Sequence, residues 1–173
     1  MTSTSADQTA LLTFGVDGGT FRLRPAARVD LPAILRLLAD DQLGSSREDP
    51  ADPAPYEAAF DAIDADPAHL LLVGDLVPED GSGSRVVATF QLSFLPGLSR
   101  RGTWRAQLEA VRVAAELRGQ GVGAAMVEWA LGESRRRGCS LVQLTTDKSR
   151  TAAHRFYERL GFAASHEGMK LLL

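Results

Sequence analysis

Two periods of hydrophobic spacing alternate along this chain and divide it into elements. FRLRPA (21–26) alternates apolar and polar positions and predicts a first strand. Leu31, Ile34, Leu35 and Leu38 then recur at helical spacing, with Asp30 placed to cap a helix that ends near Asp41. QLGSSREDPADPAP (42–55) is rich in Gly, Ser, Asp and Pro and predicts a loop, followed by a short helix in YEAAFDAIDA (56–65). HLLLVGDL (69–76) and RVVATFQLSFL (85–95) are strand patterns, and the turn EDGSGS (79–84) between them predicts a hairpin. PGLSRRG (96–102) breaks the second strand, and WRAQLEAVRVA (104–114) forms another. Uninterrupted alternation places Gln107, Glu109, Val111 and Val113 on one face, and Leu108, Ala110 and Arg112 on the other.

From Gly121 to about Arg137 the spacing of Val122, Ala125, Met126, Trp129 and Ala130 is helical again, and Gly138 ends it. Arg135 to Arg137 sit near the C-terminal end, where the helix dipole favours cations. LVQLTT (141–146) is a short strand, and TAAHRFYERL (151–160) is a helix with Ala153, Phe156, Tyr157 and Leu160 on one side and Gly161 as terminator. FAASH (162–166) and MKLLL (169–173) predict a final hairpin. Residues 1–20 are expected to be a loose tail, and 21–173 a single domain. The order of elements is a mixed α+β pattern, with antiparallel hairpins in the middle and one β-α-β unit after them.

Composition narrows the function classes. The 173 residues, 45% of them apolar, suffice for one domain with a buried core. Nineteen basic against 22 acidic residues leave a net charge of -3, which argues against a nucleic-acid-binding surface. Met1 to Gln8 lacks the basic start and apolar stretch of a secretory signal, and no apolar run approaches the roughly 20 residues of a membrane span. A cytoplasmic protein is expected, without membrane partners. Cys139 is the single cysteine, so no internal disulfide forms, and neither zinc-type Cys/His spacing nor H-E-x-x-H occurs, so no metal site is expected.

The most informative stretch is RVAAELRGQGVGAAM (112–126), which places Gly119, Gly121 and Gly123 at alternate positions where a helix begins. Each glycine inside a helix costs about 0.5–1 kcal/mol relative to alanine. A helix start, however, carries unpartnered N–H groups and a positive partial charge, and bare glycines let a phosphate approach them. Arg118 at the rim adds charge-assisted hydrogen bonds. GQGVGA (119–124) satisfies G-x-G-x-x-G/A, which keeps a Rossmann dinucleotide site in consideration. Yet residues 114–118 intervene between strand and first glycine, and hairpins precede the motif, unlike a Rossmann unit. No Gly-Lys-Ser/Thr follows, so a P-loop is excluded.

RGQGVG (118–123) resembles the R/Q-x-x-G-x-G/A motif of the GNAT superfamily of acyl-CoA-dependent N-acyltransferases, through Arg118, Gly121 and Gly123. EAVRVAAEL (109–117) resembles that family's fourth strand and connecting loop, and RFYERLGF (155–162) its second signature, a tyrosine before Leu-Gly-Phe. The likeness covers residues 21–173 in the right element order. It implies a twisted, mostly antiparallel central sheet of about seven strands flanked by about four helices. It also implies acetyl-CoA as co-substrate, its pyrophosphate on Arg118, Gly119, Gln120, Gly121, Val122, Gly123 and Ala124. The backbone of Val111, Arg112 and Val113 would pair with the pantetheine arm as an added strand does. A backbone N–H there could polarise the thioester carbonyl. Tyr157 is the implied proton donor to the departing thiolate.

The acceptor amine must lose a proton before it attacks, and Glu109, on the face shared with Val111 and Val113, is the first candidate base. His154 and water are the others, and Asp147 could orient substrate or cap the last helix. Where many family members carry an asparagine, seven residues before the tyrosine, this chain has Arg150. The resemblance implies an acceptor mouth built from the first two helices and the loop after the third strand. Those stretches carry Glu48, Asp49, Asp52 and Glu57 against Arg100, Arg101 and Arg105, a combination that suits a small zwitterionic amine. The expected partner is a small-molecule or peptide amine, with a homodimer compatible. A non-catalytic acyl-CoA-binding module and a nucleotide-binding oxidoreductase are the rival classes.

Overall fold

A computed structural model of the chain describes residues 10–40 and 47–172. Its strands are β1 (Leu12–Val16), β2 (Gly19–Pro25), β3 (His69–Pro78), β4 (Arg85–Pro96), β5 (Trp104–Val113) and β6 (Cys139–Leu144). The helices are α1 (Leu31–Ala39), α2 (Ala54–Asp64), the single turn α3 (Ser99–Gly102), α4 (Val122–Arg136) and α5 (Thr151–Arg159). One six-stranded sheet takes its strands in chain order, antiparallel from β1 to β5 and parallel between β5 and β6. The mixed α+β architecture expected from the element order is therefore present, with α4 as the crossover of its one β-α-β unit.

Two ends differ from expectation. Residues 12–16 lie in the stretch expected to be loose, yet they form β1. Asp17-Gly18, with Gly18 at φ 85, makes the tight turn that lays β1 on β2, and Phe14 packs on Phe21 at 5.2 Å. Leu12, Phe14 and Val16 thereby reach the core. The rest of the expected tail, residues 1–9, lies outside the described residues. At the other end, the predicted hairpin is absent, and residues 162–172 are irregular. Met169, Leu171 and Leu172 are 95, 85 and 93% exposed, because FAASHEG offers the core only Phe162 and nothing fixes a register for MKLLL.

The two sheet faces are built differently. Phe21, Leu23, Leu72, Phe90, Leu92, Phe94, Ala106 and Leu108 form an apolar face under Val122, Met126, Val127 and Ala130 of α4. Phe90 meets Trp129 edge-on at 6.2 Å. On the opposite face Arg24 of β2 is held between two carboxylates, Asp75 of β3 (2.7 Å) and Asp30 (2.7 Å). Asp30 does not cap α1 with its side chain. It accepts from the Ala27 N–H at 2.7 Å instead, and so ties the start of α1 to β2.

Candidate active site

Strands β5 and β6 pair from Trp104/Cys139 to Leu108/Leu144, and there the pairing stops. Residues 109–113 of β5 continue alone on that side. At the same point β5 carries a bulge: Thr89 pairs with Arg112 and Gln91 with Glu109, so Phe90 alone stands opposite both Ala110 and Val111. Ala110 takes φ 54 to make it. An extra residue reverses the pleat, which corrects the expectation that Glu109 shares a face with Val111 and Val113. Val111 and Val113 pack against the core, as Ala106 and Leu108 do before the bulge, while Glu109 is exposed.

The parting of β5 and β6 opens a cleft of about 1390 Å³, larger than a pocket for a drug-sized ligand. Its walls are the bulged end of β5, the loop 117–121, the first turn of α4, the end of β6 and one side of α5. Gly119 and Gly121 both adopt φ 83, and Gly121 is the residue from which α4 starts. Ala125 is the first residue whose N–H bonds within the helix, to Gly121 O at 2.9 Å, so the helix offers no acceptor to the amides of Val122, Gly123 and Ala124. Gly123 is a different case, since its φ is ordinary. A Cβ there would make only ordinary van der Waals contact, 3.4 Å from the Phe156 ring and 3.8 Å from Val113, so packing within the chain does not require glycine.

Cofactor candidates divide accordingly. Val111, Arg112, Val113, Arg118, Gly119, Gly121, Gly123 and Ala124 line the cleft. Gln120 and Val122 do not. Gln120 accepts from Asp17 N–H (2.8 Å) and donates to Glu116 O (3.0 Å), which fastens the glycine loop to the β1–β2 turn. The Val122 side chain is core, leaving only its amide for a ligand. Arg118 donates to Val113 O at 3.1 Å and faces Asp40 at 3.8 Å, and Arg112 donates to Val111 O at 3.0 Å. Guanidinium groups thus occupy the carbonyls that an added strand would use.

Tyr157 and Glu109 both line this cleft. The tyrosine ring sits edge-on between Phe156 (5.0 Å) and Phe162 (5.7 Å). Burial raises the phenol above its ordinary pKa, and the nearby charges of Arg150 and Arg112 oppose that rise, so the group is a protonated donor at neutral pH. Arg150, the departure from the usual asparagine, lines the cleft as well. His154 does not: its Nε2 contacts Asp147 O at 3.1 Å, and Asp147 itself accepts from Ser149 at 2.7 and 3.0 Å. Both residues therefore shape the turn before α5. The acidic and basic stretches expected at the acceptor mouth lie outside the cleft walls, apart from residues 41–46, which fall outside the described residues. Glu48 is taken by Tyr56 (2.9 Å) and Glu57 by Arg28 (3.6 Å).

One wall residue had no signal in the sequence. The Thr146 hydroxyl, just beyond β6, is shielded from solvent without a hydrogen-bond partner. A buried unpartnered hydroxyl costs roughly 1–3 kcal/mol. Thr146→Val, which keeps the shape, is expected to raise the melting temperature by roughly 2–4 °C for each kcal/mol regained. A lower melting temperature in thermal denaturation would assign that hydroxyl a partner in the folded protein.

A cleft at a parted strand pair, headed by open helix amides, accommodates a long ligand with an anionic centre. The family model described as the acetyltransferase (GNAT) family matches residues 31–162, most of the chain. The chain belongs to the GNAT family. Acetyl-CoA is that family's co-substrate, in agreement with the sequence-based expectation. The chain is 42% identical to a structurally solved transcriptional regulator from Bacillus halodurans C-125, covering 88% of this chain and 99% of that one with a TM-score of 0.80. A solved acetyltransferase from Trypanosoma brucei is 28% identical over 88% of this chain and 99% of its own, with a TM-score of 0.69. Among curated proteins, the aminoalkylphosphonate N-acetyltransferase of Salmonella typhimurium is 38% identical over 63 residues, 36% of this GNAT chain and 41% of the relative. The match thus spans less than half of that relative's length. No helix among the described residues is long and apolar enough to cross a membrane.

Proposed function

We propose that the protein transfers the acetyl group of acetyl-CoA to the primary amine of a small molecule or peptide in the cytoplasm, by direct attack on the thioester. The carrying observation is that a single cleft joins the open amides of α4, the unpaired edge of β5 and the Tyr157 phenol. The amides of Val122, Gly123 and Ala124, with Arg118 at the rim, hold the diphosphate. The β5 edge at Val111–Val113 holds the pantetheine arm once Arg112 and Arg118 release its carbonyls. Bound there, acetyl-CoA supplies the acyl group. Glu109 takes a proton from the ammonium and passes it to solvent, the free amine forms the new C–N bond, the C–S bond breaks, and the nitrogen gives up its second proton to water as the amide forms. Tyr157 gives its proton to the departing sulfur and recovers one from solvent.

The amine acceptor draws support from the name of the Salmonella relative and from the family. Ligand binding and turnover test the reading separately. At a hundredfold excess over Kd, acetyl-CoA is expected to add about 2.7 kcal/mol of stability. For a domain of this size that is roughly 5–10 °C of melting temperature. NAD at the same concentration should leave it unchanged, and a reversal of the two would restore the oxidoreductase class. Stabilisation by acetyl-CoA with no CoA released from any of a panel of amines would leave a binding module.

A further inference from the structure

The sheet face turned away from α4 departs from the usual apolar pattern in four neighbouring strands at the same level. His69 of β3 stands opposite Ser93 of β4, Ser93 opposite Gln107 of β5, and Gln107 opposite Gln143 of β6. One step along, Gln91 stands opposite Glu109. On their other face the same strands present Phe90, Leu92, Phe94, Ala106 and Leu108, none more than 2% exposed. The contrast is within single strands, so it does not come from a polar edge of the fold.

The polar side chains are ordered by one another. Gln91 Nε2 donates to Ser93 Oγ at 3.4 Å, and the same hydroxyl is hydrogen-bonded to His69 Nδ1 at 2.8 Å. The other imidazole nitrogen lies 3.8 Å from Asp66. Gln143 Nε2 donates to Gln107 Oε1 at 2.7 Å. Each carboxamide thereby keeps unused capacity: a carbonyl on Gln91 and Gln143, an NH₂ on Gln107. Donors and acceptors alternate without charge. Of the charges that share this face of β5, Arg112 bonds Val111 O, and Arg105 extends past the row toward Gly97 in the β4–β5 loop with its Nε shielded and unpartnered. Glu109, at the end of the row, also lines the cleft, so the row leads to the place where β5 and β6 part.

We propose that Gln91, Gln107 and Gln143 form the floor of the acceptor site, and that the acceptor is a hydroxylated primary amine. The amine lies at Glu109 and its hydroxyl groups lie on the three carboxamides. Hydroxyls both donate and accept, as this row requires, whereas an alkyl chain would leave the carboxamides unpartnered and an anion would meet the Glu109 carboxylate. The acceptor approaches from this face and reaches the thioester through the gap between the strands. The proposal rests on the acetyl-transfer reading and names its substrate class.

The test follows the side-chain NH₂ signals of the three glutamines by NMR in ¹⁵N-labelled protein saturated with CoA. Gln91→Leu, Gln107→Leu and Gln143→Leu assign the signals. Glucosamine is expected to shift all three to saturation, and Gln107→Leu with Gln143→Leu to weaken it at least tenfold. The CoA-induced shifts of residues 119–124 should be the same in variant and wild type. Glucosamine that leaves the three signals unmoved overturns the proposal. So does 1,5-diaminopentane or 2-aminoethylphosphonate, which lack hydroxyls, if either saturates them as tightly. Residues 119–124 that ignore CoA overturn the transferase reading, and this proposal with it.

Discussion

Tyr157→Phe is expected to lower kcat by about a hundredfold or more, within the ~10²–10⁴ range of a positioned proton donor, while the KM for acetyl-CoA and the melting temperature stay near wild type. The ring is kept by the substitution, and with it the edge contacts to Phe156 at 5.0 Å and Phe162 at 5.7 Å, so only the hydroxyl is removed. Its task is to protonate a thiolate whose conjugate acid has a pKa of about 8.5. Burial works against that task, because it raises the phenol away from the sulfur's value, and the charges of Arg150 and Arg112 pull it back. The raised direction fixes the sign of the pH dependence. Tyr157 stays protonated below the ordinary tyrosine value of about 10, so its contribution persists through neutral pH and is lost only as pH rises past that raised value. Wild-type kcat should therefore fall on the alkaline side with a limb that Tyr157→Phe lacks. A variant within threefold of wild-type kcat would assign proton delivery to another group.

The glycine-rich start of α4, to which the cofactor is assigned by proposal, was legible because backbone geometry is written in glycines. Gly119 and Gly121 take positive φ, a requirement beyond the bare amides read from the sequence, and Arg118 lines the cleft with them. Gly123 has an ordinary φ and room for a Cβ, so neither its backbone conformation nor the Phe156 ring at 3.4 Å demands a glycine. Gln120 lies in the motif but serves the loop, a role set by a contact to Asp17 across 103 positions of sequence that local spacing cannot register. The bulge was invisible for a related reason. Ala110 has no propensity for φ 54, and only its pairing with β4 forces that value, so alternation read from the sequence carried Glu109 to the wrong face. The polar row was unreadable too, because glutamines scattered over three strands become neighbours only when the registers are known. At the termini, the Asp17-Gly18 turn and the β1 it creates were missed, because Leu12, Phe14 and Val16 gain partners only when β1 lies on β2, whereas MKLLL had strand-forming residues but no partner.

Asp75→Ala is expected to destabilise the protein by about 3 kcal/mol, the lower end of the range for breaking a buried ion pair. Asp75 is 1% exposed and accepts from Arg24 Nε at 2.7 Å and Nη2 at 3.0 Å, and from Arg22 Nη2 at 3.2 Å. Removing it leaves those donors in a pocket where Arg24 is largely enclosed. The loss falls short of the upper end because Arg24 keeps Asp30, bonded at 2.7 and 3.0 Å, and Arg22 can turn to solvent. At roughly 2–4 °C per kcal/mol the melting temperature should drop by about 6–12 °C. A drop of less than 2 °C would mean that the three charges gain nothing by being together.

The same network sets the acid limit of the wild type. Burial raises the Asp30 pKa, but the hydrogen bonds from Arg24 and the Ala27 N–H outweigh it, so the group titrates below its ordinary value. A depressed carboxylate contributes stability that is present above the unfolded value, about 3.9, and is lost as pH falls through the folded one. Scans of melting temperature against pH should therefore show wild type losing stability below about pH 4. Asp30 holds the start of α1 through the Ala27 N–H and keeps Arg24 when Asp75 is removed, and the exposed Asp40–Arg118 pair at 3.8 Å beyond the far end of α1 does not involve Asp75. Asp75→Ala is thus expected to lower the melting temperature while the KM for acetyl-CoA and kcat, which depend on the α4 amides and Tyr157, stay close to wild type.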